Sequence, residues 1–121
     1  MPVTIYHNPN CSTSRKTLAL IRERGIEPII VEYLKHPLDT HAIRNLIKRM
    51  RDSQGASWPG LREGLVRTKE PLYSELGLKD AGDADLIAAM AAHPILFNRP
   101  VVVTDKGALL CRPQERVLEL L

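Results

Sequence analysis

The stretch Tyr6-His7-Asn8-Pro9-Asn10-Cys11-Ser12-Thr13-Ser14-Arg15 joins a strand pattern to a helix pattern, and it constrains the fold more than any other part of the chain. Upstream, Val3, Ile5 and Tyr6 read as a short buried strand. Downstream, Leu18 and Ile21 lie about one helical turn apart and Leu20 widens the apolar face. Asn8-Pro9-Asn10 is a turn former, so Cys11 falls at the start of the helix. The first N–H groups of a helix have no partner inside it, and the amides of Ser12, Thr13 and Ser14 are therefore free to ring a point just above the sulfur. The positive end of the helix dipole and these amides both favour thiolate over thiol. Cys11 reads as a nucleophile placed to attack an oxyanion that the same amides hold. The other reading of such a cysteine is a buried structural thiol, and the polar turn around it argues against that.

The same helix is expected over 12–24, stopped by Gly25. Ile29, Ile30, Val31 and Tyr33 follow as a β-branched and aromatic run of the kind buried in a parallel sheet. Strand, helix, strand at this separation is a right-handed βαβ unit. From Pro37 the pattern turns helical. Asp39 or Thr40 caps a helix whose face is Ile43, Leu46, Ile47 and Met50, and Asp83 caps another that ends at His93-Pro94. Between them, Trp58 to Leu61 and Leu72 to Leu76 read as short helical pieces. The sheet returns with Pro100 to Thr104, a hairpin turn at Asp105-Lys106-Gly107, and Ala108 to Cys111 running back. Pro113 opens a terminal helix with Val117, Leu118 and Leu121 as its stripe. The order is βαβ, a helical insert over about 38–93, then ββα. That is an α/β, thioredoxin-like outline, with a four-stranded mixed sheet in one domain over 1–121.

Composition narrows the function classes. With 44% hydrophobic and 26% charged residues, the chain is globular rather than disordered. Its two cysteines lie far apart and make no disulfide framework, which fits a reducing compartment. No apolar run reaches the ~18 residues of a membrane span, and the first strand begins too early for a signal peptide, so the expected location is the cytoplasm. The net charge of +3 is spread, and with only 4% aromatic residues it makes nucleic acid a poor fit as a partner. His7 and Cys11 have no second ligand pair at metal spacing, so no metal site is expected. Cys111 sits in an apolar strand as a small hydrophobe.

Arg67, Arg99 and Arg112 all fall at element ends, where guanidinium forks can meet a multiply charged oxyanion. In a thioredoxin-like packing the segment before the third strand approaches the start of the first helix, which brings Arg99 to the Cys11 site.

Three separated motifs now stand in order: Tyr6-His7-Asn8-Pro9 with Cys11-Ser12-Thr13-Ser14-Arg15, His93-Pro94-Ile95-Leu96 into Asn98-Arg99-Pro100, and Leu110-Cys111-Arg112-Pro113. Together they resemble the glutaredoxin-dependent arsenate reductase family over nearly the whole chain. The resemblance implies Cys11 as nucleophile, Ser12, Thr13 and Ser14 with Arg67, Arg99 and Arg112 around the oxyanion, and a cis peptide bond before Pro100. His7, at the loop mouth, either helps keep the thiolate or makes a strand-end hydrogen bond. The resemblance also implies arsenate as substrate, glutathione as co-substrate with glutaredoxin as its recycler, and no bound cofactor. Two departures stand out: Ser12 occupies a position that is usually glycine, and Ser14 stands where a regulator branch carries a second cysteine. The alternatives are a redox-sensing interaction protein of the same family and a glutathione-dependent thiol-disulfide enzyme.

Overall fold

The computed structural model describes residues 2–121. Its sheet is built from β1 (Thr4–Tyr6), β2 (Ile29–Val31), β3 (Val101–Thr104) and β4 (Gly107–Leu110), in the order β2-β1-β3-β4. β1 and β2 run parallel, while β3 is antiparallel to both β1 and β4. The parallel pair is bridged by α1 (Ser12–Glu23), as a βαβ unit requires. The architecture is thioredoxin-like, with α2 (Thr40–Gln54), α3 (Leu61–Leu65), α4 (Pro71–Glu75) and α5 (Asp83–Ala92) inserted between β2 and β3.

Alternation along the strands divides the core into two. Val3, Ile5, Val102 and Leu109 face one side, where Ile21 of α1 and Val117 and Leu120 of the last helical segment cover them. Val101 and Ala108 face the other side, against Ile43, Leu46 and Met50 of α2 and Leu86 and Met90 of α5. Asp39 caps α2 by accepting from the Ala42 N–H at 2.8 Å, and Gly25 takes the positive φ of +75° that ends the turn after α1.

Several expectations change in detail. The run Ile29 to Tyr33 is not a buried central strand. β2 is an edge that pairs only with β1, and Ile29 and Ile30 are 59% and 37% exposed, while Tyr33 leaves the strand and enters the core. α1 ends one residue early, with Arg24 as its cap. Gly82, not Asp83, precedes the first turn of α5. The terminal segment Gln114–Leu120 is a 3₁₀ helix, with Pro113 outside it as the capping residue, and Cys111 lies one position beyond β4. The Arg99–Pro100 bond is cis, and so is Arg112–Pro113, which the sequence did not point to.

Candidate functional site

The loop between β1 and α1 is folded by its own side chains. Asn8 accepts from the Asn10 N–H through Oδ1 at 2.9 Å, and its carbonyl accepts from the Cys11 N–H at 3.0 Å. The first intrahelical bond is Arg15 N–H to the Cys11 carbonyl at 3.0 Å, so the amides of Ser12, Thr13 and Ser14 lie ahead of the ladder. Cys11 caps α1 without using its side chain and is 8% exposed.

Burial pushes the Cys11 thiol up, but the Ser14 amide, the Arg99 guanidinium and a hydrogen bond from Arg112 outweigh it, and the thiol ends below its ordinary value. Arg112 Nη1 lies 3.8 Å from Cys11 Sγ. A thiolate here is therefore held by a helix amide and two cations.

His7 is buried and works one step back from the sulfur. Its Nδ1 is 2.6 Å from Ser14 Oγ, and the same hydroxyl oxygen accepts from the Asn8 N–H at 3.1 Å. Burial lowers the His7 pKa, with Arg22 and Arg15 adding to the effect against Glu32, which favours the neutral ring. The hydroxyl of Ser14 is thus occupied by His7 while its amide serves Cys11. Of the three residues after the cysteine, Ser12 is exposed, Thr13 half-buried and Ser14 buried.

The three arginines are gathered by backbone hydrogen bonds. The Cys111 N–H donates to the Pro100 carbonyl at 2.9 Å, extending the β3 and β4 ladder by one rung and setting Arg112 beside Arg99. Arg112 Nη1 also donates to the Arg99 carbonyl at 3.0 Å. Arg67 joins them through an isolated antiparallel bridge between Val66 and Phe97, with the Arg67 N–H on the Leu96 carbonyl at 2.8 Å and the Asn98 N–H on the Leu65 carbonyl at 2.7 Å. All three arginines line one cleft of about 640 Å³. Glu70 stands 4.0 Å from Arg67 Nε. Arg99 Nε is buried with no acceptor, a donor that an anion in the cleft would satisfy.

Tyr33 and Asn98 are two further neighbours of these groups, and the sequence assigns neither a role of its own. Tyr33 packs on Phe97 with ring centroids 5.6 Å apart. Burial pushes its hydroxyl up to about 12, against Arg99 and a hydrogen bond with Asn8, so it is a neutral group close to Arg99 and Cys11. Asn98 donates nothing to the ladder with its side chain, and its Oδ1 accepts from the Arg99 N–H at 3.1 Å. The position of Tyr33 follows from topology: β1 and β2 are parallel, so the residues after Tyr6 and Val31 emerge at the same sheet edge.

A second cavity of similar volume lies across α1, against Pro9, Leu18 and Arg22, and contains none of the three arginines. Cys111 is fully buried, with its thiol pushed up to about 12 by burial. Among the described residues no group of three or more His, Cys, Asp or Glu side chains is arranged to hold a metal ion, and no helix is long and apolar enough to cross a membrane.

Cys11 thus stands at a helix start with Arg112 against its sulfur, and Arg67, Arg99 and Arg112 line one cleft. Residues 6–120 match the model of the ArsC family. This chain belongs to the ArsC family. An arsenate reductase of Rhizobium meliloti (strain 1021) is 48% identical over all of this chain and 82% of its own length. The arsenate reductase of Escherichia coli (strain K12) is 48% identical over 98% of this chain and 80% of its own. The uncharacterized protein YfgD of the same strain is 45% identical over 98% of this chain and 95% of its own. Among solved structures, an arsenate reductase from Vibrio cholerae superposes with a TM-score of 0.90 at 42% identity, covering 100% of this chain and 98% of that one.

Proposed function

We propose that this ArsC-family chain is an arsenate reductase that works through a Cys11 adduct and draws its electrons from glutathione and glutaredoxin. The observation that carries the reading is the convergence on one sulfur of a helix amide, Arg99 and Arg112. An ordinary structural thiol has no need of that charge. The whole-length similarity to arsenate reductases supports the choice of oxyanion.

In this mechanism arsenate enters with its oxygens on the free amides of the α1 start and on the guanidinium groups of Arg67, Arg99 and Arg112. Arg99 Nε supplies a buried donor that no protein group uses. The Cys11 thiolate attacks arsenic, and one oxygen takes up a proton and leaves as water. The arginines and amides stabilise the charge that crowds onto the remaining oxygens in that step. The adduct is still pentavalent. Two electrons come from outside, since Cys111 is fully buried in the core cluster that packs under α1. Glutathione and a glutaredoxin thiol supply them, becoming a disulfide as arsenic falls to the trivalent state, and water releases arsenite and restores Cys11.

The test is a coupled assay with glutathione, glutaredoxin, glutathione reductase and NADPH. The chain turns over arsenate, Cys11→Ser abolishes the activity, and Cys111→Ser retains it. If arsenate is inert while glutathionylated disulfides are reduced in a Cys11-dependent way, the arsenate reading fails and thiol transfer replaces it.

A further inference from the structure

The cleft beside Cys11 is larger and more cationic than a tetrahedral oxyanion needs. Its 640 Å³ lies within the ~300–1,000 Å³ of sites that enclose drug-sized molecules. Besides Arg67, Arg99 and Arg112 the lining includes Arg62, Thr68 and Lys69, and Glu63 is its one carboxylate among the described residues. Arg62 is anchored by neutral acceptors, with Nε on the Tyr73 hydroxyl at 2.9 Å and Nη2 on the carbonyls of Leu78 and Ala81 at 3.1 and 2.6 Å. Among the described residues its charge meets no carboxylate within 4.0 Å, and neither does that of Lys69. A positive wall of this kind draws anions beyond the one that reacts.

The chemistry says what must stand there. Reduction at Cys11 takes electrons from an external thiol, and that thiol has to reach the adduct through the cleft that the oxyanion occupies. We propose that the outer cleft, formed by Thr68 and Lys69 with Arg62 behind them, binds the carboxylates of the reducing thiol, a short peptide-like molecule with two carboxylates. This rests on the reading of the chain as an oxyanion reductase. With its carboxylates at Lys69 and Arg62, the thiol points inward past Arg67. There it displaces an oxygen of the pentavalent Cys11 adduct as water and bonds to arsenic. A second external thiol then attacks the sulfur of the first. The two sulfurs leave as a disulfide, the electron pair of the broken sulfur–arsenic bond stays on arsenic, and water frees arsenite with a proton returned to Cys11. Glu63 opposes binding by repulsion, so its removal strengthens the site.

The experiment uses S-methylglutathione, which keeps both carboxylates and cannot react, titrated calorimetrically into the full chain without arsenate. Lys69→Glu weakens its binding about five-fold and Glu63→Gln tightens it about two-fold, the scale of exposed charge pairs. The dimethyl ester of the same probe binds equally to all three proteins. In turnover, the KM for glutathione moves with these values, while the KM for arsenate stays fixed. Equal binding of S-methylglutathione by all three proteins, or an ester that responds to the substitutions as the acid does, overturns the proposal even if arsenate is reduced. Charge-dependent binding in a chain that leaves arsenate untouched upholds this site and defeats the arsenate reading alone.

Discussion

At the scale of single residues, Cys11 is governed by competition between burial and charge. Burial alone would make it as inert as Cys111, whose thiol is pushed up to about 12. The difference is that Cys11 has the Ser14 amide, Arg99 and Arg112 within reach. Iodoacetamide alkylation therefore has a Cys11 component that rises at lower pH than an ordinary thiol, whose pKa is about 8.5. Because the shift is downward, the reactive thiolate is present above the lowered pKa and is lost as pH falls through it. The alkylation rate of Cys111→Ser against pH checks this, and a curve that rises only near 8.5 refutes it. Arg99 carries the second residue-scale prediction. Removing its fork in Arg99→Ala lowers kcat/KM for arsenate about 10- to 100-fold, since the contact strengthens as oxygen charge develops. Arg99→Lys recovers part of it, because an ammonium has no bidentate geometry. Steady-state kinetics on the two variants reads both effects. What the sequence made legible at this scale was the cysteine and its turn, because a turn former, free amides and a helix start are all encoded within ten neighbouring positions. Tyr33 was not legible. Its place close to Arg99 and Cys11 depends on where a parallel strand ends relative to β1, and no local pattern carries that.

At the scale of elements, the arginines owe their convergence to two short backbone pairings. Arg99 and Arg112 flank the end of the β3 and β4 hairpin, which the turn at Asp105-Lys106-Gly107 announces in the sequence. Arg67 depends on the bridge between Val66 and Phe97, which links segments some thirty positions apart and has no periodic signal. That is why its location follows from the structure and not from the pattern around it. The exposed β2 has a similar cause: β-branched residues look the same on an edge as in the middle, and only strand order tells them apart. The helix α3, which delivers the chain to Arg67, is seated by Trp58. A Cβ at Gly64 would stand 2.6 Å from two carbons of the indole, too close for either to remain in place. Gly64→Ala therefore costs about 1–3 kcal/mol of stability through overpacking, although alanine is the better helix former by ~1 kcal/mol. The sign reverses once the ring is gone. In a Trp58→Leu background, Gly64→Ala is neutral or stabilising. Urea unfolding of the four proteins in the cycle checks the prediction, and equal costs in both backgrounds refute it.

At the scale of the molecule, the cleft lies where the insert meets the sheet. Arg67 comes from the insert, Arg99 and Arg112 from the β3 and β4 end, and Cys11 of the βαβ unit lies against Arg112, so an anion held by all four would join three parts of the fold. The two core clusters lie on opposite faces of the sheet, and helices of the insert cover only one of them. A ligand that bridges these parts binds the folded chain and not the unfolded one, because the unfolded chain has no convergence of guanidinium groups. Linkage then sets its effect: an anion at 100 times its dissociation constant adds about 2.7 kcal/mol to the unfolding free energy. For a chain of 121 residues that raises the melting temperature by ~10 °C. Arsenate should give this shift in Cys11→Ser, where binding proceeds without chemistry. Arg99→Ala in the same background should lose most of it at the same arsenate concentration. Chloride at matched ionic strength separates the site from general screening of a chain of net charge +3, since screening is shared by all anions and a tetrahedral site is not. Scanning calorimetry of the two proteins with arsenate and with chloride decides the matter. An equal shift with both salts, or one that survives the loss of Arg99, would mean that the convergence of the three arginines does not bind the oxyanion.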